Sequence, residues 1–160
     1  MRRLVFVVVP FLLVCVAFVQ RGSISLAKAS SLVYQGDLIL TGNNVTTIEG
    51  SFDINGSIMV WENATLILRN AVVNFTEGGR MDFVYPINGN PRLIAYNSTI
   101  ASAFGPMSAR LNLLANSTAA IDNSTISGEI FLWENSVSLI SNSSLFDMYA
   151  RDYSTLTLYN

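Results

Sequence analysis

Glu62-Asn63-Ala64-Thr65-Leu66-Ile67-Leu68-Arg69-Asn70-Ala71-Val72-Val73 returns in looser form as Ala115 to Ile126 and as Glu134 to Leu145. Superposing the copies without gaps sets five asparagines in one column, Asn70, Asn97, Asn123, Asn142 and Asn160, at spacings of 27, 26, 19 and 18 residues. A cassette repeating at this interval cannot bury its apolar side alone, so its copies must stack. The interval suits one coil of a three-sided solenoid of short strands and is too short for paired helices.

Within the cassette the pattern alternates. Four and two residues before the anchors stand Leu66 and Leu68, Leu93 and Ala95, Ala119 and Ile121, Ser138 and Ile140, Leu156 and Leu158, the period of a strand with one buried face. Twelve and ten before them come Ile58 and Val60, Tyr85 and Ile87, Leu111 and Leu113, Ile130 and Leu132, Met148 and Ala150, a second inward pair. Seven before the first four anchors lies another asparagine row, Asn63, Asn90, Asn116 and Asn135. Stacked about 4.8 Å apart as parallel strands, the coils set like residues above like. Asparagine suits their bends because it tolerates a left-handed backbone and its amide both donates and accepts. An asparagine ladder is therefore expected along both rows. On that reading Asn123→Ala costs more stability than Asn44→Ala.

The chain opens differently. Arg2 and Arg3 precede an uncharged run from Leu4 to Val19, followed by Gln20 and Arg21, the layout of a secretory signal. Small residues at Ala27-Lys28-Ala29, or at Ser23-Ile24-Ser25, offer cleavage motifs, with an uncleaved membrane anchor as the alternative. The expected organisation is a signal or hydrophobic helix over 1–29, a first coil or N-terminal cap over 30–56, and coils over 57–160. Both options send the domain outside, and membrane contact is expected only through an uncleaved N-terminal segment.

After Ser30 the chain has no Cys, Lys or His, and five arginines stand against eleven carboxylates, a net charge of −6. Nucleic acid is an unsuitable partner for that field. Without cysteine there are no disulfides, so stability rests on regular stacking.

On these residues the chain resembles the parallel β-helix repeat proteins, especially exported or surface forms of archaea and bacteria. The resemblance runs from Ile58 to Asn160, with a less regular stretch from Val33 to Asn55. It implies an all-β fold, a right-handed parallel β-helix, and leaves function open, since the scaffold carries lyases, hydrolases, epimerases, adhesins and surface coats.

No catalytic constellation is legible. Glu134 and Asp152, on consecutive coils beside Arg151, are the nearest thing to a paired-carboxylate or Ca²⁺ site, against the simpler reading of a solvated acidic edge. No resident cofactor is expected. Trp61 and Trp133, nine before their anchors, should point outward, where indoles stack on sugar rings; Tyr96 and Tyr159 would extend that surface. Eight Asn-x-Ser/Thr sequons occur, at Asn44, Asn55, Asn63, Asn74, Asn97, Asn116, Asn123 and Asn142. Because the anchor amides are expected to be inaccessible, Asn44, Asn55 and Asn74 are the expected glycan acceptors. The sequence-level expectation is a secreted or cell-surface protein with a structural or adhesive role, touching polysaccharide or cell-surface glycans. The alternative is the front part of a polysaccharide-active lyase or hydrolase. Asn160 is itself an anchor reached midway through a coil, which suggests a truncated piece or, failing that, end-to-end self-association.

Overall fold

The computed structural model describes residues 24–26, 33–84 and 89–159. The segment before Ile24, and with it nearly all of the expected signal or anchor, lies outside the described residues, as do Tyr85, Ile87 and Asn160.

Among the described residues fifteen strands form one parallel sheet. In chain order they are β1 (Ile24–Leu26), β2 (Val33–Gln35), β3 (Leu38–Leu40), β4 (Val45–Asn55), β5 (Ile58–Trp61), β6 (Thr65–Phe75), β7 (Arg80–Val84) and β8 (Arg92–Tyr96). There follow β9 (Thr99–Ser102), β10 (Arg110–Leu113), β11 (Thr118–Asp122), β12 (Thr125–Leu132), β13 (Val137–Ser141), β14 (Ser144–Ala150) and β15 (Thr155–Tyr159). The pairings resolve into three columns, an arrangement consistent with a β-solenoid. The first joins β1, the front of β4 and β6, then β8, β11, β13 and β15. The second joins β2, the back of β4 and β6, β9, and the fronts of β12 and β14. The third joins β3, β5, β7, β10, and the backs of β12 and β14. Val33–Asn55, irregular by sequence, pairs in the same columns as the later coils.

The core is the space between the columns. Leu66, Leu68, Leu93, Ala95, Ala119 and Ile121 fill it from the first face, Val73, Ile100 and Ile126 from the second, and Ile58, Val60, Leu111, Leu113, Ile130 and Leu132 from the third, all buried. Each large side chain so buried contributes about 1.5–3 kcal/mol. One inward pair differs from the expectation. Met81 and Phe83, not Tyr85 and Ile87, pair with Ile58 and Val60 and are fully buried. The chain reaches its inward register four residues early. At the far end burial thins: Leu156 is only half-buried, and half-buried Leu145 and exposed Leu158 line an open pocket of about 440 Å³.

Three corners turn the chain, each with its own chemistry. Between the first and second faces Asn70, Asn97, Asn123 and Asn142 take a left-handed backbone, φ 47–48°. Between the third and first faces that conformation falls to Glu62, Ala115 and Glu134, the residues before Asn63, Asn116 and Asn135, and to Asp152 before Tyr153, φ 53–58°. Between the second and third faces the coils approach so closely that a Cβ on Gly56 would collide with the Gly36 carbonyl, and one on Gly128 with the Ala109 carbonyl. Glycine is required there for space.

Candidate functional site on the third face

Phe131 and Tyr149 are register partners on β12 and β14. Their ring centroids are 4.9 Å apart with planes 11° from parallel. That separation is the coil spacing. The rings therefore stack from strand to strand across the third face. Trp133, two residues along β12's direction, lies beside Phe131 with centroids 6.5 Å apart and planes 20° apart.

Two guanidiniums complete the strip. Arg110 Cζ stands 5.8 Å from the Phe131 centroid while its Nε donates to Glu129 Oε2 at 3.1 Å. Arg151 Cζ stands 5.2 Å from the Trp133 ring. Each such contact is worth about 0.5–1 kcal/mol at an exposed site. The Tyr149 hydroxyl donates to Asp147 Oδ2 at 2.8 Å, and this bond, with the carboxylate's charge, raises the phenol's pKa above its usual value. Further along the face Asp82, buried, accepts from Arg80 Nε at 2.7 Å and from Asn112 Nδ2 at 2.6 Å. Stacked rings, two guanidinium forks and carboxylate acceptors make a surface equipped to hydrogen-bond vicinal hydroxyls.

The two tryptophans expected to stack on sugars share one row of the third face. Trp61 ends β5 and Trp133 follows β12, three coils apart on one row, or about 14 Å. Both are half-buried, and the Trp133 face meets Arg151. Tyr96 and Tyr159 are exposed, but they end strands of the first face and do not extend the tryptophan surface. Phe131 and Tyr149 escaped the sequence reading. Both stand eleven before an anchor, between the two inward positions, which was the available signal.

Glu134 and Asp152 sit exposed on consecutive bends, and the neighbouring Arg151 turns to Trp133. Among the described residues no three His, Cys, Asp or Glu side chains come together.

The asparagines divide by corner. Asn97 Nδ2 donates to Asn70 Oδ1 at 2.6 Å and Asn123 Nδ2 to Asn97 Oδ1 at 3.2 Å, while Asn142 Nδ2 turns to Asp122 Oδ1 at 3.1 Å. All four residues are exposed, while the amides of Asn97, Asn123 and Asn142, the ones expected to be inaccessible, are engaged as donors. The polar column beneath that corner is serine, buried at Ser98 and Ser124 and half-buried at Ser143. Ser98, Ser124 and Ser143 Oγ accept the N–H of Ala71, Ser98 and Ser124 respectively, each at 3.1 Å. At the other asparagine corner Asn63 Nδ2 donates to Asn43 Oδ1 and its Oδ1 accepts from the Asn90 N–H. Asn116 and Asn135 are exposed there with no side-chain bond among the described residues. Asn44, Asn55 and Asn74 are half-buried; Asn55 donates to Gln35 and Asn74 to Asp53. No family model, curated protein or solved structure matches the chain.

Proposed function

We propose that this chain forms an exported, cell-surface, right-handed parallel β-helix of the archaeal or bacterial kind, with ladder-lined corners and a structural or adhesive role, and that it touches glycans through its third face. The observation that carries the adhesive part is the Phe131–Tyr149–Trp133 strip with Arg110 and Arg151 set against it. Aromatic surface beside bidentate donors and carboxylate acceptors is the combination that binds sugar rings, apolar on their faces and polar at their rims. The scaffold part draws support from the parallel columns and the hydrogen bonds linking Asn70, Asn97 and Asn123.

The test is retention on an array of neutral and acidic glycans. The parent should be retained by some of them, and a Tyr149→Ala, Trp133→Ala double variant that keeps its circular dichroism should lose that retention. Binding unaffected by the double variant, or no retention of the parent, would remove the adhesive reading and leave a scaffold alone.

A further inference from the structure

Eight sequons look alike in sequence, yet the fold treats them very differently. On the first corner Asn97 and Asn123 hold their Nδ2 groups in amide bonds to the coil before, and Asn142 gives its Nδ2 to Asp122. These three also follow one another on successive coils, about 4.8 Å apart, so a sugar on one would crowd the next. Asn55 and Asn74 are half-buried and likewise committed as donors. Asn44 is half-buried and its sequon hydroxyl, on Thr46, is buried. Asn63 is exposed but bonded to coils on both sides.

Asn116 differs in its bonding and in its neighbours on the row. It is exposed, follows the left-handed Ala115 that swings it out of the bend, and its amide engages no partner among the described residues. The next asparagines on its row, Asn90 and Asn135, begin Asn-Pro-Arg and Asn-Ser-Val and are not sequons, leaving room on both sides. Its sequon hydroxyl belongs to Thr118, half-buried at the start of β11.

We propose that Asn116 is the N-glycosylation site that the folded chain offers. In the reaction its Nδ2 bonds to the anomeric carbon of an oligosaccharide carried on a polyprenyl phosphate or pyrophosphate. The bond from that carbon to the phosphate oxygen breaks, the lipid phosphate leaves with the bonding pair, and an amide proton passes to base. The site rests on the export reading, since such donors present their sugar outside the cytoplasm.

The test incubates the folded full chain with a single-subunit oligosaccharyltransferase specific for Asn-x-Ser/Thr and its lipid-linked donor, with glycopeptide mapping over time. Asn116 should be modified about tenfold faster than Asn97 or Asn123, whose amide bonds must first open. In urea-unfolded chain the sequons should react at similar rates. Asn116→Gln, and Thr118→Ala with the asparagine kept, should each remove the fast product. Faster modification at any other sequon of the folded chain, or the same order folded and unfolded, overturns the proposal. Export is read separately, by whether the chain with its own N-terminus leaves a secretion-competent cell, so the two ideas fail independently.

Discussion

Ser124 Oγ accepts the backbone N–H of Ser98 at 3.1 Å and donates its own proton to the Asp122 carbonyl at 2.7 Å. Both serines are buried, while Asn123 beside them is exposed. The polar groups that would be orphaned inside this corner are therefore satisfied by the hydroxyl column.

Ser124→Ala leaves the Ser98 N–H buried without an acceptor and is expected to cost about 1–3 kcal/mol. Asn123→Gly removes only an exposed amide bond and keeps the left-handed backbone accessible, so its effect should stay within about 0.5 kcal/mol. Urea unfolding of the two variants checks this. Equal losses would return the principal role to asparagine.

How the serine column escaped the sequence reading is physical. Asn97-Ser98, Asn123-Ser124 and Asn142-Ser143 announce it, but the same letters spell sequons, and one strand does not say which side chain turns inward at a bend. Strand alternation was legible at Leu66, Leu93, Leu111 and Ile130 because two faces of a strand differ at every residue. It failed at β7 because a gapless alignment counts back a fixed distance from Asn97, whereas the chain sets Met81 and Phe83 opposite Ile58 and Val60. Likewise the Phe131–Tyr149 stack needs the third-face register, which only the pairing of β12 with β14 supplies.

Two neighbours on one corner row should respond with opposite signs. Ala115 holds φ 53° with a Cβ, which costs about 1–2 kcal/mol, so Ala115→Gly is expected to stabilise by about 0.5–1 kcal/mol after the unfolded-state entropy of glycine is offset. Gly89→Ala drives a Cβ into the Glu62 backbone and should destabilise. A rise in Tm for the first and a fall for the second is the expected pair; a fall for both would show that the left-handed corner is unstrained.

Ser117, Ser136 and Ser138 present buried hydroxyls with no hydrogen-bond partner among the described residues. Such a group costs about 1–3 kcal/mol of desolvation, so Ser136→Ala is expected to be neutral or stabilising by up to about 1 kcal/mol, opposite to Ser124→Ala. Chemical denaturation of the two side by side separates a hydroxyl that closes a corner from one that merely fills space.

Acid should weaken the hydrogen-bonded carboxylate of Asp122 at the first corner. Asp122 Oδ1 accepts from Ser141 Oγ at 2.7 Å and from Asn142 Nδ2 at 3.1 Å. These bonds, Ser141's first, with help from the Asn123 backbone and against a smaller desolvation effect, lower its pKa below the ordinary value. A depressed carboxylate stabilises the fold above its unfolded pKa, about 3.9, and that contribution fades as pH falls through the lower folded value. The Tm difference between the parent and Asp122→Asn should therefore be constant above about pH 5, narrow below about pH 4, and close once Asp122 is protonated in both states. A difference that persists undiminished at pH 2 would mean that shape, not charge, is what the corner requires of residue 122.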